Sequence, residues 1–473
     1  MTTPTGTLEY LDPATLLTDR NIRTATDLDR GFVASVREHG VIVPIVAVRT
    51  PDGIRVRAGH RRTAAATTEN LPAVPVLVLD TDPGDDDDAA RIVTQIVENH
   101  HRAALTTADT LTAVQQLALL GCSEATIAKR TKMPRKTVSD AIAAANSDLG
   151  ARAAADLPDL TIEHLAWLAE FEDDPQAADR LLDTFQARPE QARHAVERER
   201  QQRDLADARE AAYTQVAQAH PGSARYDGQV YADQAAKYLR DLADADRQPL
   251  SPEDHDGCPG DAHTLAHLAW ADQDTEGIIW ANGHGFRVEW LCTDWQANGH
   301  HDRYAHAPAP TGPDGADAEQ AREQRRRTIS LNRAGEAAQT VRREWLTAFT
   351  ARKSAPKDAP AFLLHGLANH HPAAGEDAAR GARLLADLLG EKNLDTWAST
   401  QTQARIAQIN LCARLWAYED RTDKSIWRET RRFGDYLRAL ARWGYDLSDA
   451  EKVTTGDLTE QDAAALLTAD PGK

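Results

Sequence analysis

The sequence predicts a multidomain chain of four parts. These are a small α+β domain, an all-α helix-turn-helix domain, a small β-hairpin module rich in Cys and His, and a C-terminal helical bundle. Three observations carry this reading. Two β-branched runs, Val43–Arg49 and Ile54–Ala58, flank the turn Thr50-Pro51-Asp52-Gly53. Alanine-rich stretches with helical periodicity dominate most of the rest. A Cys/His cluster brackets a second hairpin signature, Asn282-Gly283-His284-Gly285. A chain of 473 residues has room for roughly three domains. The expected domains are 1–105, 106–200, a helical linker over 201–250, 251–307 and 316–473.

The net charge of −19 argues against indiscriminate nucleic-acid binding but allows a local basic face. No run of 18 apolar residues offers a membrane span, and the first residues lack signal-peptide character. The four cysteines, at 122, 258, 292 and 412, are too scattered for a disulfide framework. A reduced cytoplasmic protein is expected.

In chain order, Leu8–Leu17 opens with a short strand and the turn Asp12-Pro13. Asp29–His39 reads as a helix with Phe32, Val33 and Val36 on one face and Gly40 as its stop. Val41–Val48 reads as a strand, and Pro44 within it suggests an edge or a bulge. Ala58-Gly59-His60-Arg61-Arg62-Thr63 then passes from strand to helix. Free N–H groups and the helix dipole suit an anion there, and arginine adds a forked cationic donor. A solvated arginine pair is the competing reading. Ala73–Leu79 is the next strand, and Asp80–Asp88 an acidic loop. Ala89–His101 is a helix ending in Glu98-Asn99-His100-His101-Arg102, where a carboxylate beside phosphates can hold Mg²⁺.

Thr110–Leu120 is an apolar-periodic helix closed by Gly121. Ser123 caps a second, Glu124–Thr131, and Pro134 starts a third, Arg135–Ala145. The spacing is that of a helix-turn-helix, although Lys132 stands where glycine often makes the turn. Five basic residues (Lys129, Arg130, Lys132, Arg135, Lys136) face two acidic ones (Glu124, Asp140) between Cys122 and Asp140. Lys129, Arg135, Lys136, Thr137 and Ser139 are the expected DNA contacts, the last four at the start of the recognition helix.

The Gly-x-Arg-Arg turn (Gly59, Arg61, Arg62), the Glu-Asn-x-x-Arg helix end (Glu98, Asn99, Arg102) and the helix-turn-helix (Ser123–Ala145) together resemble the ParB family of chromosome and plasmid partition proteins, over about residues 8–200. The resemblance implies a ParB/sulfiredoxin-like α+β domain that binds CTP with Mg²⁺. It also implies a helical domain for a palindromic double-stranded DNA site, a homodimer closing over DNA as a sliding clamp, and a ParA-type ATPase partner. By position, Gly59, His60, Arg61, Arg62 and Thr63 would cradle the triphosphate, Glu98 or Asn99 would hold the metal, and Arg102 completes that motif. Most relatives carry glutamate at the position of His60 and a further arginine at that of Ala64. Histidine cannot replace a carboxylate toward metal or water, so the resemblance reaches CTP binding further than turnover. A weak CTPase is left open, with no catalytic residue assigned.

Glu163–Phe171 and Ala177–Phe185 continue as helices, and Gln191–Ala219 reads as an exposed helix, coiled-coil arm or spacer. Downstream, His255, Cys258, Cys292 and His300 lie on turns at both ends of the hairpin, a plausible tetrahedral Zn²⁺ set, with His263 and His301 as substitutes. This zinc-binding-like module resembles one that accompanies ParB-like domains in actinobacterial plasmid proteins. Ala316–Lys353 is an arginine-rich helix, read as a salt-laced solvated face or a phosphate contact. Ala361–Trp443 reads as a helical bundle, and Leu458–Lys473 as a partly frayed acidic tail. Two functions are carried forward. The first is a nucleotide-gated partition protein, nucleoid- or plasmid-associated. The second is a transcriptional or replication regulator on the same fold without a working switch.

Overall fold

The computed structural model describes residues 6–17, 33, 36–37, 40–41, 44–79, 106–228, 230, 236–269, 273–304, 315–368, 378–391 and 394–468. The chain divides into two compact units, Met1–Arg188 and Pro189–Lys473. The division falls short of residue 200, the expected end of the second domain.

The first unit opens with a mixed sheet in the order β1-β4-β2-β3: β1 Gly6–Leu11, β2 Ile45–Thr50, β3 Gly53–Ala58 and β4 Val74–Leu79. β2 and β3 form the expected hairpin around Pro51-Asp52, while β4 runs parallel to β2 and antiparallel to β1. The strand begins at Ile45, after Pro44, and lies in the middle of the sheet. Proline cannot donate to a ladder, so it ends up outside the strand. A register shift does occur between Val46 and Ala47. α1, His60–Thr68, lays Ala65 and Ala66 onto fully buried Ile45, Val56, Val74 and Val76. Each such valine or isoleucine contributes about 1.5–3 kcal/mol. Of the predicted helix 29–39, Val33 and Val36–Arg37 are described as helical, and Gly40 at φ +68° ends it. Asp80–Asp88 and the helix 89–101 lie outside the described residues.

Six helices follow: α2 Thr107–Leu119, α3 Glu124–Thr131, α4 Arg135–Ala145, α5 Asp148–Asp156, α6 Ile162–Ala169 and α7 Pro175–Ala187. Ser123 Oγ caps α3 by accepting from the Thr126 amide at 3.3 Å. Lys132 adopts the left-handed conformation, φ +59°, that glycine would otherwise take. Pro134 is the N-cap of α4, one position before its predicted place. Ile127 and Val138 are buried, and Ala128 and Ile142 are half-buried.

The second unit is strung on two long helices, α8 Ala192–Ala219 and, after the β module, α10 Gly315–Thr350. The exposed-arm reading of α8 is corrected. Its C-terminal half packs Ala208, Ala212, Tyr213 and Val216 against Leu265, Ala281 and Phe286 of the β module. Its N-terminal half buries His194 and Val196, and Gln191 just before it is also buried. The β module consists of β5 Ala224–Arg225, β6 Ala236–Tyr238, β7 Leu242–Ala243, a short helix α9 Pro252–His255, β8 Asp261–His267, β9 Ile279–Ala281, β10 His284–Thr293 and β11 His301–Asp302. Its main sheet runs β5-β8-β10-β6, with β9 on β10; Asn282 and Gly283, at φ +46° and +84°, turn β9 into β10 as predicted.

α10 packs within a bundle formed by α11 Ala359–Ala368, α12 Ala378–Leu389, α13 Leu394–Ala398, α14 Gln403–Glu419, α15 Thr430–Arg442, α16 Asp449–Thr455 and α17 Glu460–Thr468. One further correction concerns it. Arg342, expected on a solvated or DNA-facing surface, is fully buried, with Nε 2.5 Å from Glu419 Oε2 and Nη1 2.5 Å from Glu451 Oε1. Within the acidic tail Glu460–Thr468 is helical, with Ala463 buried beside Leu331, Trp427 and Ala450, and residues 469–473 lie outside the described residues. No described helix is long and apolar enough to cross a membrane.

Candidate functional site

Three constellations carry chemistry. The first is the strand-to-helix corner. Gly59 caps α1 at φ +102°, a conformation side chains resist, and a Cβ there would lie 3.1 Å from Arg62 Nη2. Gly59 supplies no side-chain cap, and the first amides of a helix have no intrahelical acceptor. The Thr63 amide already donates to the Gly59 carbonyl at 3.0 Å. The corner thus offers an anion the amides of His60, Arg61 and Arg62. Arg62 folds back over Gly59 and donates from Nη1 to the Pro44 carbonyl at 2.7 Å. Thr63, expected to help cradle an anion, turns inward: it is 3% exposed and its hydroxyl bonds to the Gly59 carbonyl. The fourth residue of α1 faces the sheet, so Thr63 shapes the corner rather than lining it. Glu98, Asn99 and Arg102 lie outside the described residues.

The second is the helix-turn-helix. Lys129, Arg135 and Ser139 are exposed and Thr137 is half-buried. Arg135 Nε lies 3.7 Å from Glu124 Oε2, a loose contact that leaves the guanidinium largely in solvent. Lys136 is tied instead to Asp140 at 2.7 Å and to Glu163 of α6 at 3.0 Å. Burial lowers the affinity of its ammonium for the proton, but the two carboxylates outweigh this, and its pKa stands above the usual lysine value. Lys136 therefore braces α4 against α6.

The third is the quartet His255, Cys258, Cys292 and His300, whose ligand atoms all lie within 4.8 Å of one another. Cys258 Sγ is 3.9 Å from Cys292 Sγ and 3.5 Å from His300 Nε2. His255 Nδ1 pairs with Asp261 Oδ1 at 3.1 Å, which leaves Nε2 buried without a partner among the described residues. Burial pushes the Cys292 thiol up to about 12, and lowers His300, which favours its neutral imidazole. The substitutes are elsewhere: His263 is buried against Ser223, and His301 is exposed on β11. Gly260 is irreplaceable at this knuckle, since a Cβ would meet the Thr293 carbonyl at 2.0 Å and Cys292 Sγ at 2.7 Å. β8, which holds Asp261 opposite Cys292, was missed in the sequence because threonine and two histidines interrupt its apolar alternation.

Residues 9–100 match the ParB N-terminal domain family. That stretch is thus similar to a ParB N-terminal domain. Over 141 residues it is 33% identical to the probable chromosome-partitioning protein ParB of Treponema pallidum, covering 29% of this chain and 42% of that protein. Over 120 residues it is 29% identical to the chromosome-partitioning protein Spo0J of Thermus thermophilus, covering 25% and 43%. The chain thus spans less than half the length of these ParB-type relatives. Among solved structures it is similar to the C-terminally truncated chromosome-partitioning protein ParB from Caulobacter crescentus complexed to the centromeric parS site. That match has 20% identity and a TM-score of 0.28, over 37% of this chain and 91% of that one. The same Caulobacter protein complexed with CTP-gamma-S matches at 23% identity and a TM-score of 0.18, over 37% and 99%.

Proposed function

We propose that this chain is a sequence-specific DNA-binding protein of the ParB type, acting in plasmid or chromosome partition as a CTP-gated dimeric clamp. One observation carries the reading: a ParB N-terminal domain over residues 9–100 is followed at once by the helix-turn-helix of α3 and α4. In this account the CTP phosphates rest on the first amides of α1, with Arg61 and Arg62 beside them, and Glu98 or Asn99 holds Mg²⁺. Lys129, Arg135, Thr137 and Ser139 meet a palindromic site on double-stranded DNA, presented twice by a homodimer. A ParA-type ATPase is the expected partner, and the setting is cytoplasmic, on the nucleoid or an actinobacterial plasmid. The test is titration of the full chain with CTP and Mg²⁺. Saturable binding that Arg61→Ala abolishes supports the reading; absence of CTP binding by the folded chain removes the clamp.

A second reading, a transcriptional or replication regulator without a nucleotide switch, draws on Arg62. Its hydrogen bond to Pro44 occupies a donor that a phosphate would otherwise use. Under that reading DNA affinity does not respond to CTP.

A further inference from the structure

We propose that His255, Cys258, Cys292 and His300 hold one zinc ion in a closed, structural site that locks the end of the β module. Four independent features converge. The first is spacing. Tetrahedral zinc with Zn–S near 2.3 Å places two sulfurs about 3.8 Å apart; Cys258 and Cys292 stand at 3.9 Å. That is far beyond the ~2.05 Å of a disulfide, and both cysteines are free.

The second is the orientation of His255. Its Nδ1 is held by Asp261, so the nitrogen left for the quartet is Nε2, which is buried and has no acceptor or donor among the described residues. A buried polar atom without a partner is costly, and a metal bond meets that need. A carboxylate on the far ring nitrogen is the usual device for orienting a zinc-bound imidazole.

The third is charge. Two thiolates and two neutral imidazoles sum with Zn²⁺ to zero, which suits a place where His255 is 1% exposed and Cys292 is fully buried. Asn298 Nδ2 lies 3.5 Å from Cys292 Sγ and would donate to the thiolate. The fourth is topology. The ligands come from the end of α9, the following turn, the last part of β10 and the 294–300 turn. One ion joins these segments beside the small apolar cluster of Leu239, Leu242, Leu250 and Trp295. Four protein ligands leave no open position, so the ion supports the fold rather than a reaction. The mixed sulfur and nitrogen set selects zinc over the oxygen-preferring Mg²⁺ and Ca²⁺.

The test uses the full chain purified without chelator. Elemental analysis is expected to give one zinc per chain, lost in Cys258→Ser and in His300→Ala and kept in Cys122→Ser. Because a ligand variant can misfold, the unaltered chain supplies a second readout. Stripping with a strong chelator should add two reactive thiols and lower the unfolding temperature of the second unit, and added zinc should reverse both. A folded, metal-free chain whose thiol count ignores the chelator overturns the proposal. So does a Cys258–Cys292 disulfide found by mass spectrometry, or zinc retained in both ligand variants.

Discussion

The Arg62 guanidinium donates to the Pro44 carbonyl at 2.7 Å and covers Gly59, so one arginine ties the entry of β2 to the start of α1. The same corner is the proposed phosphate site. Arg62→Ala should lower the stability of the first unit by about 1–2 kcal/mol, since a half-buried charged hydrogen bond is lost. Urea unfolding measures it. A variant as stable as the parent would show that Arg62 spends its time elsewhere.

Lys136 and Arg135 are neighbours in sequence with different duties. Arg135→Ala should weaken cognate DNA binding by about 1–3 kcal/mol with little change in stability. Lys136→Ala should first lower the stability of the helical domain, because Asp140 and Glu163 lose their shared cation. Parallel DNA titrations and thermal melts separate the two. Equal loss of DNA affinity with unchanged melting in both variants would contradict the bracing role.

Lys132 occupies a left-handed position at φ +59°. Lys132→Gly should stabilise the helix-turn-helix by about 1 kcal/mol, as glycine adopts that conformation without a Cβ penalty. The melting midpoint reports it, and a drop would mean that the lysine side chain makes a compensating contact.

The second unit has its own buried electrostatics. Arg342→Ala should cost about 3–5 kcal/mol, because Glu451 stays buried without its cation and Glu419 keeps only Arg343, at 3.4 Å. The hydroxyls of Tyr436 and Tyr445 also donate to these carboxylates, and cannot supply the missing charge. Adding Glu419→Gln and Glu451→Gln should recover part of the loss. A triple variant no better than Arg342→Ala alone would place the cost in packing.

His194 gives this unit a pH dependence of known sign. Burial holds its pKa below the ordinary 6.5, its Nε2 meets the Asp446 carbonyl at 2.8 Å, and its Nδ1 is buried without a partner among the described residues. The unfolded chain takes up the proton near 6.5 and the folded chain resists it. The contribution is therefore complete above that pH and is lost as pH falls through it. Unfolding midpoints between pH 7.5 and 5.5 should fall more steeply for the parent than for His194→Gln. Parallel slopes would remove His194 from the account.

Local chemistry was legible in the sequence wherever it depends on neighbours along the chain. The Pro51-Asp52 and Asn282-Gly283 turns, the Ser123 cap and the Cys/His quartet follow from residue type and spacing. Partner choice was not legible. The charged pattern of α8 hides its contacts with Phe286 and Leu265, and nothing in its 28 residues names that sheet. Arg342 is one of eight arginines in its stretch, and only the placement of Glu419 and Glu451 on distant helices makes it a core residue. A cradle motif likewise does not say which face of the helix meets the sheet, and Thr63 is 3% exposed.

The central claim is that nucleotide held at the α1 corner governs how the chain occupies DNA. The direct measurement is genome-wide occupancy in the native host, comparing the parent with Arg61→Ala expressed at equal level. The account predicts a focal site with broad flanking enrichment for the parent, collapsing to a single narrow peak in the variant. Identical narrow peaks for both would contradict it and leave a DNA-binding regulator.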